Sequence, residues 1–227
     1  MNTLHDMTHM DPVAAYMALA RQHPALFVQN DQVPIVLDEA RIRAYAARTG
    51  RPMGVVYDNV APDGSRFYTV VADLCLRGER EFSYSRVIYP NPTNGSVAVP
   101  RMGNRFGLLK LFRHVPRMDC LEFPRGFAKQ GLSPTENIKE ELWEEMGAWV
   151  EDMEYLGRVR ADTGLSAGFA EVFLADVRDA RANVGHEGIR ELVWLEEREL
   201  NAAIARGEIT DGFTLSALTL LRCKQTD

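Results

Sequence analysis

Glu141, Glu144 and Glu145 lie within one segment, Gly126 to Ala148, GFAKQGLSPTENIKEELWEEMGA, in which a glycine-containing stretch runs into a helical pattern. At about 100° per residue, with Glu141 taken as zero, Glu144 projects near about −60° and Glu145 near about +40°, so the three carboxylates share one arc. Ile138, Leu142, Met146 and Trp149 fall at about +60°, +100°, +140° and +80°, an apolar stripe beside that arc. The acids therefore stand at the margin of the core. Like charges at i, i+3 and i, i+4 weaken an isolated helix by about 0.2–0.5 kcal/mol per pair, a repulsion that a cation would offset. Mg²⁺, Mn²⁺ and Ca²⁺ take oxygen ligands, and Mg²⁺ is held by one or two carboxylates together with substrate phosphates. The spacing thus points to a divalent metal and a phosphorylated substrate, while a solvated acidic helix face explains the acids alone equally well.

The helix carries its own start signal. Ser133 can act as N-cap, Pro134 as the first helical residue and Glu136 as the third, a capping box. Gly147 marks the end.

The segment resembles the Nudix box, G-x5-E-x7-R-E-U-x-E-E-x-G-U, where U is a bulky aliphatic residue. Gly126 takes the first glycine, Glu141 and Leu142 the E-U, Glu144 and Glu145 the E-E, Gly147 the last glycine and Ala148 the final U. Leu132 stands where the pattern has its first glutamate, and Glu140 stands where it has arginine. In the family that arginine helps orient a box glutamate. Lys139 projects about 140° away from Glu144 and is a poor replacement; a cation from elsewhere can substitute, Arg125 being one candidate.

The resemblance implies Glu141, Glu145 and Glu144 as ligands of Mg²⁺, with Mn²⁺ as an alternative, joined by a main-chain oxygen of Arg125. It implies attack of water on a diphosphate, the cations lowering the water's pKa and neutralising phosphate oxygens, with Glu145 and Glu141 as the catalytic acids. Members acting on nucleotide sugars supply a further base from a later loop, here Asp179 to Arg190, where Glu187 is the best candidate and a solvated loop acid is the other reading. Arg113 occupies a place where similar pyrophosphatases carry an arginine near substrate. Arg125 can pair with phosphate through its planar fork. Trp143 projects near about +200°, away from the acids, and is read as packing, as are Trp149 and Trp194.

The elements that must position these residues follow from pattern and punctuation. Asp11 to about Gln22 and Asp38 to about Ala47 read as helices opened by capping aspartates. Arg66 to Leu76, Glu81 to Tyr89, Gly95 to Met102 and Phe106 to Arg113 read as strands, with Asp63-Gly64, Asn94-Gly95 and Gly103-Asn104 as turns. Cys120 to Phe123 is a short strand leading into Pro124, Arg125 and Gly126. Tyr155 to Arg160, Phe169 to Val177 and Leu192 to Leu195 are further strands, and Glu196 to Ala205 and Phe213 to Arg222 helices. The expected class is α/β, a mixed sheet with helices on its faces. The order is similar to the α/β/α Nudix sandwich, with residues 1–65 as an N-terminal α/β appendage and 66–227 as the Nudix domain. In nucleotide-sugar pyrophosphatases of the family a comparable N-terminal region builds a dimer and part of the substrate site, which implies a homodimer here.

Composition narrows the classes. With 227 residues, 46% of them hydrophobic, the chain can bury a substantial core. No apolar run approaches the roughly 20 residues needed to span a bilayer, and the opening MNTLHDMTHM lacks a basic region and an apolar core, so a cytoplasmic protein without a membrane partner is expected. A formal charge of −6 argues against general nucleic-acid binding but permits a small anionic substrate. Cys75, Cys120 and Cys223 show neither a disulfide framework nor zinc-ligand spacing. The leading expectation is a metal-dependent hydrolase of a nucleoside diphosphate derivative such as ADP-ribose or a nucleotide sugar. The alternatives are a degenerate module that binds a nucleotide without cleaving it, and a Nudix enzyme acting on nucleoside triphosphates or dinucleotides.

Overall fold

Aspartates open the first two helices of the computed structural model, which describes residues 11–61, 64, 66–89, 93–129 and 131–225. Asp11 accepts from the N–H groups of Val13 and Ala14 at 3.0 and 3.1 Å and starts α1 (Pro12–Gln22); Asp38 accepts from Arg41 N at 2.8 Å and starts α2 (Glu39–Thr49). Gly50, in the left-handed region that glycine tolerates best, ends α2. The strands β1 (Gly54–Val60), β2 (Arg66–Arg77) and β3 (Arg80–Ile88) form an antiparallel sheet in that order. Tyr16, Leu19, Ile42, Tyr45, Val71, Leu74 and Ile88 make the core of this unit. Residues Met1–Pro92 and the segment Asp162–Gly168 belong to it, the segment being tied to β3 by Val87 N to Leu165 O at 2.8 Å and Ala167 N to Val87 O at 3.0 Å.

The division of the chain thus falls after Pro92, where the sequence pattern placed it after residue 65. A cut there would separate β1 from β2, whose pairs include Tyr57 with Val70 and Asp58 with Thr69. β1 was not predicted. Its burial does not alternate, so it lacks the period-two signal of a half-buried strand.

The second unit comprises Thr93–Ala161 and Phe169–Asp227. Its strands are β4 (Thr93–Met102), β5 (Arg105–Arg113), β6 (Met118–Glu122), β7 (Arg125–Phe127), β8 (Trp149–Val159), β9 (Phe169–Arg178) and β10 (Ile189–Glu196). The sheet order is β10-β5-β4-β9-β8, with β6 on β5 and β7 on β4; β4 and β9 run parallel and the other pairs antiparallel, so the sheet is mixed. Alternation along β4 and β5 builds a core on each face. Ala98, Leu109 and Leu111 pack with Ile138, Leu142 and Met146 of α3 (Pro134–Met146). Val97, Val99 and Leu108 pack with Leu200 and Ala203 of α4 (Glu197–Ala205) and Ala217, Leu218 and Leu221 of α5 (Gly212–Lys224). This is the expected α/β/α sandwich.

Of the predicted turns, Gly103-Asn104 joins β4 to β5, and Asp63 lies outside the described residues. Asn94-Gly95 is no turn but part of β4. A Cβ on Gly95 would overlap the carbonyl oxygen of Gly126, so glycine serves here for the close approach of β4 and β7. Among the described residues no helix is long and apolar enough to cross a membrane.

Candidate active site

The predicted strand, loop and helix unit is present, with Arg125 to Phe127 as a short strand rather than a loop. Ser133 Oγ accepts from Glu136 N at 3.2 Å, and Glu136 Oε2 accepts from Ser133 N at 2.8 Å, completing the capping box. Gly147 closes α3 in the left-handed conformation, with φ of 56°. Two side chains pin the unit: Ser96 Oγ donates to Pro134 O at 3.1 Å, and Asn137 Oδ1 accepts from Lys129 N at 3.0 Å.

Helical phase then sorts the three acids. Glu141 and Glu145 are buried and Glu144 is exposed. Glu141 lies against the backbone of Gly126 so closely that a Cβ there would overlap its carboxyl group. Burial, the neighbouring Glu141 and the charge of Glu187 push the Glu145 carboxyl up to about 8, against the opposite pull of Arg113 and of the Arg125 main chain, which hydrogen-bonds to it. Burial raises Glu141 too, reinforced by Glu144 and Glu187 and opposed by Lys129.

The cations are distributed differently from expectation. Arg125 does not serve the box acids through its guanidinium: Nη2 donates to Glu122 Oε2 at 3.0 Å, lies 3.3 Å from Asp211 Oδ1, and the group stacks over the Phe213 ring at 4.9 Å. Arg113 donates to the same Glu122 oxygen from Nε at 2.9 Å and Nη2 at 2.7 Å. Burial alone would raise Glu122, but the two arginines outweigh it and hold the carboxyl below its usual range. Asp211 caps α5, and Phe123 N donates to Thr214 Oγ1 at 3.0 Å, tying the chain before β7 to that helix.

The cation on the box acids is Lys129. Its Nζ is 2.9 Å from each carboxylate oxygen of Glu144, 3.3 Å from Glu140 Oε2 and 3.4 Å from Glu141 Oε1. Partial burial works against its charge, but the acids outweigh that and hold the ammonium above its ordinary pKa. Lys129, Asn137, Glu122 and Asp211 were not predicted. One signal was available for Lys129, the sole basic residue between Gly126 and Ser133. Glu122 reads as an ordinary strand residue until its pairing with two arginines is seen.

The loop bearing Glu187 is fastened to the end of α3. Asn183 N donates to Glu145 O and Asn183 Nδ2 to Glu144 O, both at 2.9 Å, and Arg181 N donates to Met146 O at 2.5 Å. These bonds satisfy carbonyls that a helix C-terminus leaves open. Glu187 is exposed, with φ of 45°, and its charge is felt by both Glu141 and Glu145. Arg113 and Glu187 thus both act electrostatically on Glu145.

Trp143 and Trp149 are not core residues: they are 53% and 54% exposed and pack on each other at 4.9 Å between ring centroids. The wheel position of Trp143 was right for α3, but the face opposite the acids is solvent. Trp149, placed by the sequence in the apolar stripe, is not on the helix but opens β8. Trp194 packs against the α3 core as expected.

Among the described residues no three His, Cys, Asp or Glu side chains already converge as a metal cage. The donors nonetheless suit a hard divalent ion. Glu145 Oε2 is buried without a hydrogen-bond partner among the described residues, beside the second buried carboxylate, Glu141. An unpartnered buried oxygen is costly and is satisfied by a cation, and Mg²⁺ needs only one or two protein carboxylates when phosphate supplies the rest.

A protein from Arabidopsis thaliana, Nudix hydrolase 19, chloroplastic, is 30% identical over 127 residues, a stretch that is 53% of this chain and 28% of that protein. The chain matches less than a third of the length of this relative. A solved structure, of an ADP compounds hydrolase, superposes with a TM-score of 0.60 at 18% identity, covering 76% of this chain and 95% of that one. Over the 127 residues matched to the Arabidopsis protein, the chain is similar to a Nudix hydrolase. Its fold is the Nudix fold. No family model matches the chain.

Proposed function

We propose that the protein is a Nudix pyrophosphatase that hydrolyses the diphosphate linkage of a nucleoside diphosphate derivative, with ADP-ribose or a nucleotide sugar as substrate. The observation that carries this is the buried Glu145 oxygen, without a partner among the described residues, beside Glu141, which lies against the glycine of β7. The fold and box shared with Nudix hydrolases, and the neighbour described as acting on ADP compounds, support the substrate class.

In this reading Glu141 and Glu145 hold Mg²⁺ or Mn²⁺, and the Arg125 main chain lies beside them. The bound ion supplies charge neutralisation at the phosphates and a lowered pKa for the attacking water. Glu187, fixed through its loop to the end of α3, takes the role of general base. Arg113, half-buried and sensed electrostatically at Glu145, faces phosphate charge. Arg125 keeps Arg113 and Glu122 in register through their shared carboxylate. The N-terminal unit serves as a dimerisation module, so the working form is a homodimer.

The test is incubation of the purified protein with Mg²⁺ or Mn²⁺ and a panel of ADP-ribose, nucleotide sugars, dinucleotides and nucleoside triphosphates, with products resolved by mass. Addition of one water across the diphosphate of ADP-ribose, releasing AMP and ribose 5-phosphate, is the expected result. Binding of a panel member with no turnover of any would replace this reading with the non-catalytic module.

A further inference from the structure

The box pattern has arginine at the position of Glu140, one turn before Glu144. A cation there would reach Glu144 at i, i+4 on the same helix face. Here the helix carries an acid instead, and four glutamates, Glu140, Glu141, Glu144 and Glu145, crowd less than two turns. The compensating charge arrives from the preceding loop: Lys129 Nζ straddles both oxygens of Glu144 at 2.9 Å and lies 3.3 Å from Glu140 Oε2. Its contact with Glu141, at 3.4 Å, is the longest of the set. The loop end is anchored as well, because Lys129 N donates to Asn137 Oδ1 at 3.0 Å, and Asn137 belongs to the same helix.

We propose that Lys129 is the positioning residue of the site, a loop-borne cation that replaces the missing helix arginine by holding Glu144 and Glu140, so that Glu141 and Glu145 are left to face the divalent ion. The inference rests on the pyrophosphatase reading of this site. Lys129 and Glu140 form a compensating pair: the acid in the arginine position is tolerated because the lysine neutralises it, and the lysine is held in place because Glu140 and Glu144 flank it. A charge removed from the loop should therefore be restorable from the helix.

Calorimetric titration of Mn²⁺ into the full chain tests this, with the thermal midpoint of each metal-free variant as a check on folding. Lys129→Met is expected to weaken Mn²⁺ binding about tenfold or more, the scale typical of residues that orient metal ligands. Lys129→Arg should stay close to wild type. Lys129→Met combined with Glu140→Arg should recover most of the loss, which a merely structural role for Lys129 would not allow. Lys129→Gln replaces the methionine variant if that fails to fold. Binding as tight as wild type or tighter in the neutral variants would overturn the proposal, the tighter result marking Lys129 as a competitor of the ion, and so would failure of Glu140→Arg to rescue. Glu145→Gln in the same titration separates the two levels. If it loses Mn²⁺ while Lys129→Met does not, only the role of Lys129 fails; if it binds Mn²⁺ normally, or wild type binds none, the metal site itself fails and the proposal with it.

Discussion

Two buried carboxylates, one in each unit, look alike by exposure and differ in every partner. Asp73 is 2% exposed and Glu145 is 3% exposed. Asp73 accepts from Tyr16 Oη at 2.5 Å and from Arg86 Nε and Nη2 at 2.6 and 3.2 Å, while Arg86 also donates to Leu26 O and lies over the Phe27 ring at 4.8 Å. Burial and the adjacent Asp73 push the Tyr16 hydroxyl far above its usual pKa, so it remains a donor. Glu145 has the neighbouring acid Glu141 and an oxygen without a partner among the described residues. A buried charge with its hydrogen bonds complete is architecture. One left incomplete, among other acids, is where the proposed divalent ion would bind.

Neutral substitutions should split the two sites most widely. Glu145→Gln is expected to lower turnover by orders of magnitude while the metal-free thermal midpoint holds or rises, because an unpaired buried acid is removed; steady-state rates and calorimetry on the same sample check both. Asp73→Asn should do the reverse, destabilising its unit by about 3–5 kcal/mol because the Arg86 guanidinium is left buried and uncompensated. Denaturant unfolding followed by hydrogen exchange in α1 to β3 would read it.

A smaller effect is expected from Gly126→Ala, whose Cβ would push the Glu141 carboxyl aside. A misplacement of that order can cost about a hundredfold in rate, with Mn²⁺ binding weakened in parallel. An effect on stability alone would make Gly126 a packing residue and sever it from the site.

The smallest effect is on pH dependence. Glu145 is raised in the folded protein from 4.5 to about 8. The folded state therefore keeps a proton that the unfolded chain releases, so this group's contribution to stability is present below about 4.5 and is lost as pH rises toward 8. Metal-free wild type should lose thermal midpoint over that window relative to Glu145→Gln, and Mn²⁺ should flatten the difference. Parallel curves for the two proteins would show that Glu145 is not perturbed.

Much of this was legible in the chain because it depends on local periodicity. The capping box, the acidic arc and the apolar stripe of α3 are one helical pattern, and helical phase alone distinguishes buried Glu141 and Glu145 from exposed Glu144. What could not be read lies in pairings across the sheet or between loop and helix. Lys129 meets Glu144 over fifteen positions through a loop anchored by Asn137, and Arg113 reaches Glu122, the local partner of Arg125, only because β5 and β6 pair. Local signals also misled. Asn94-Gly95 has hairpin chemistry, yet Gly95 serves the close approach to Gly126, and Trp143 has a core residue's composition but is half exposed beside Trp149.

The most direct test is anomalous diffraction from crystals of the wild-type protein soaked in Mn²⁺. An anomalous peak about 2.1 Å from Glu145 Oε2, shared with Glu141 and leaving Lys129 on Glu144, is the predicted result. Glu145 Oε2 bonded to a protein donor, with Mn²⁺ absent or bound elsewhere, would contradict it.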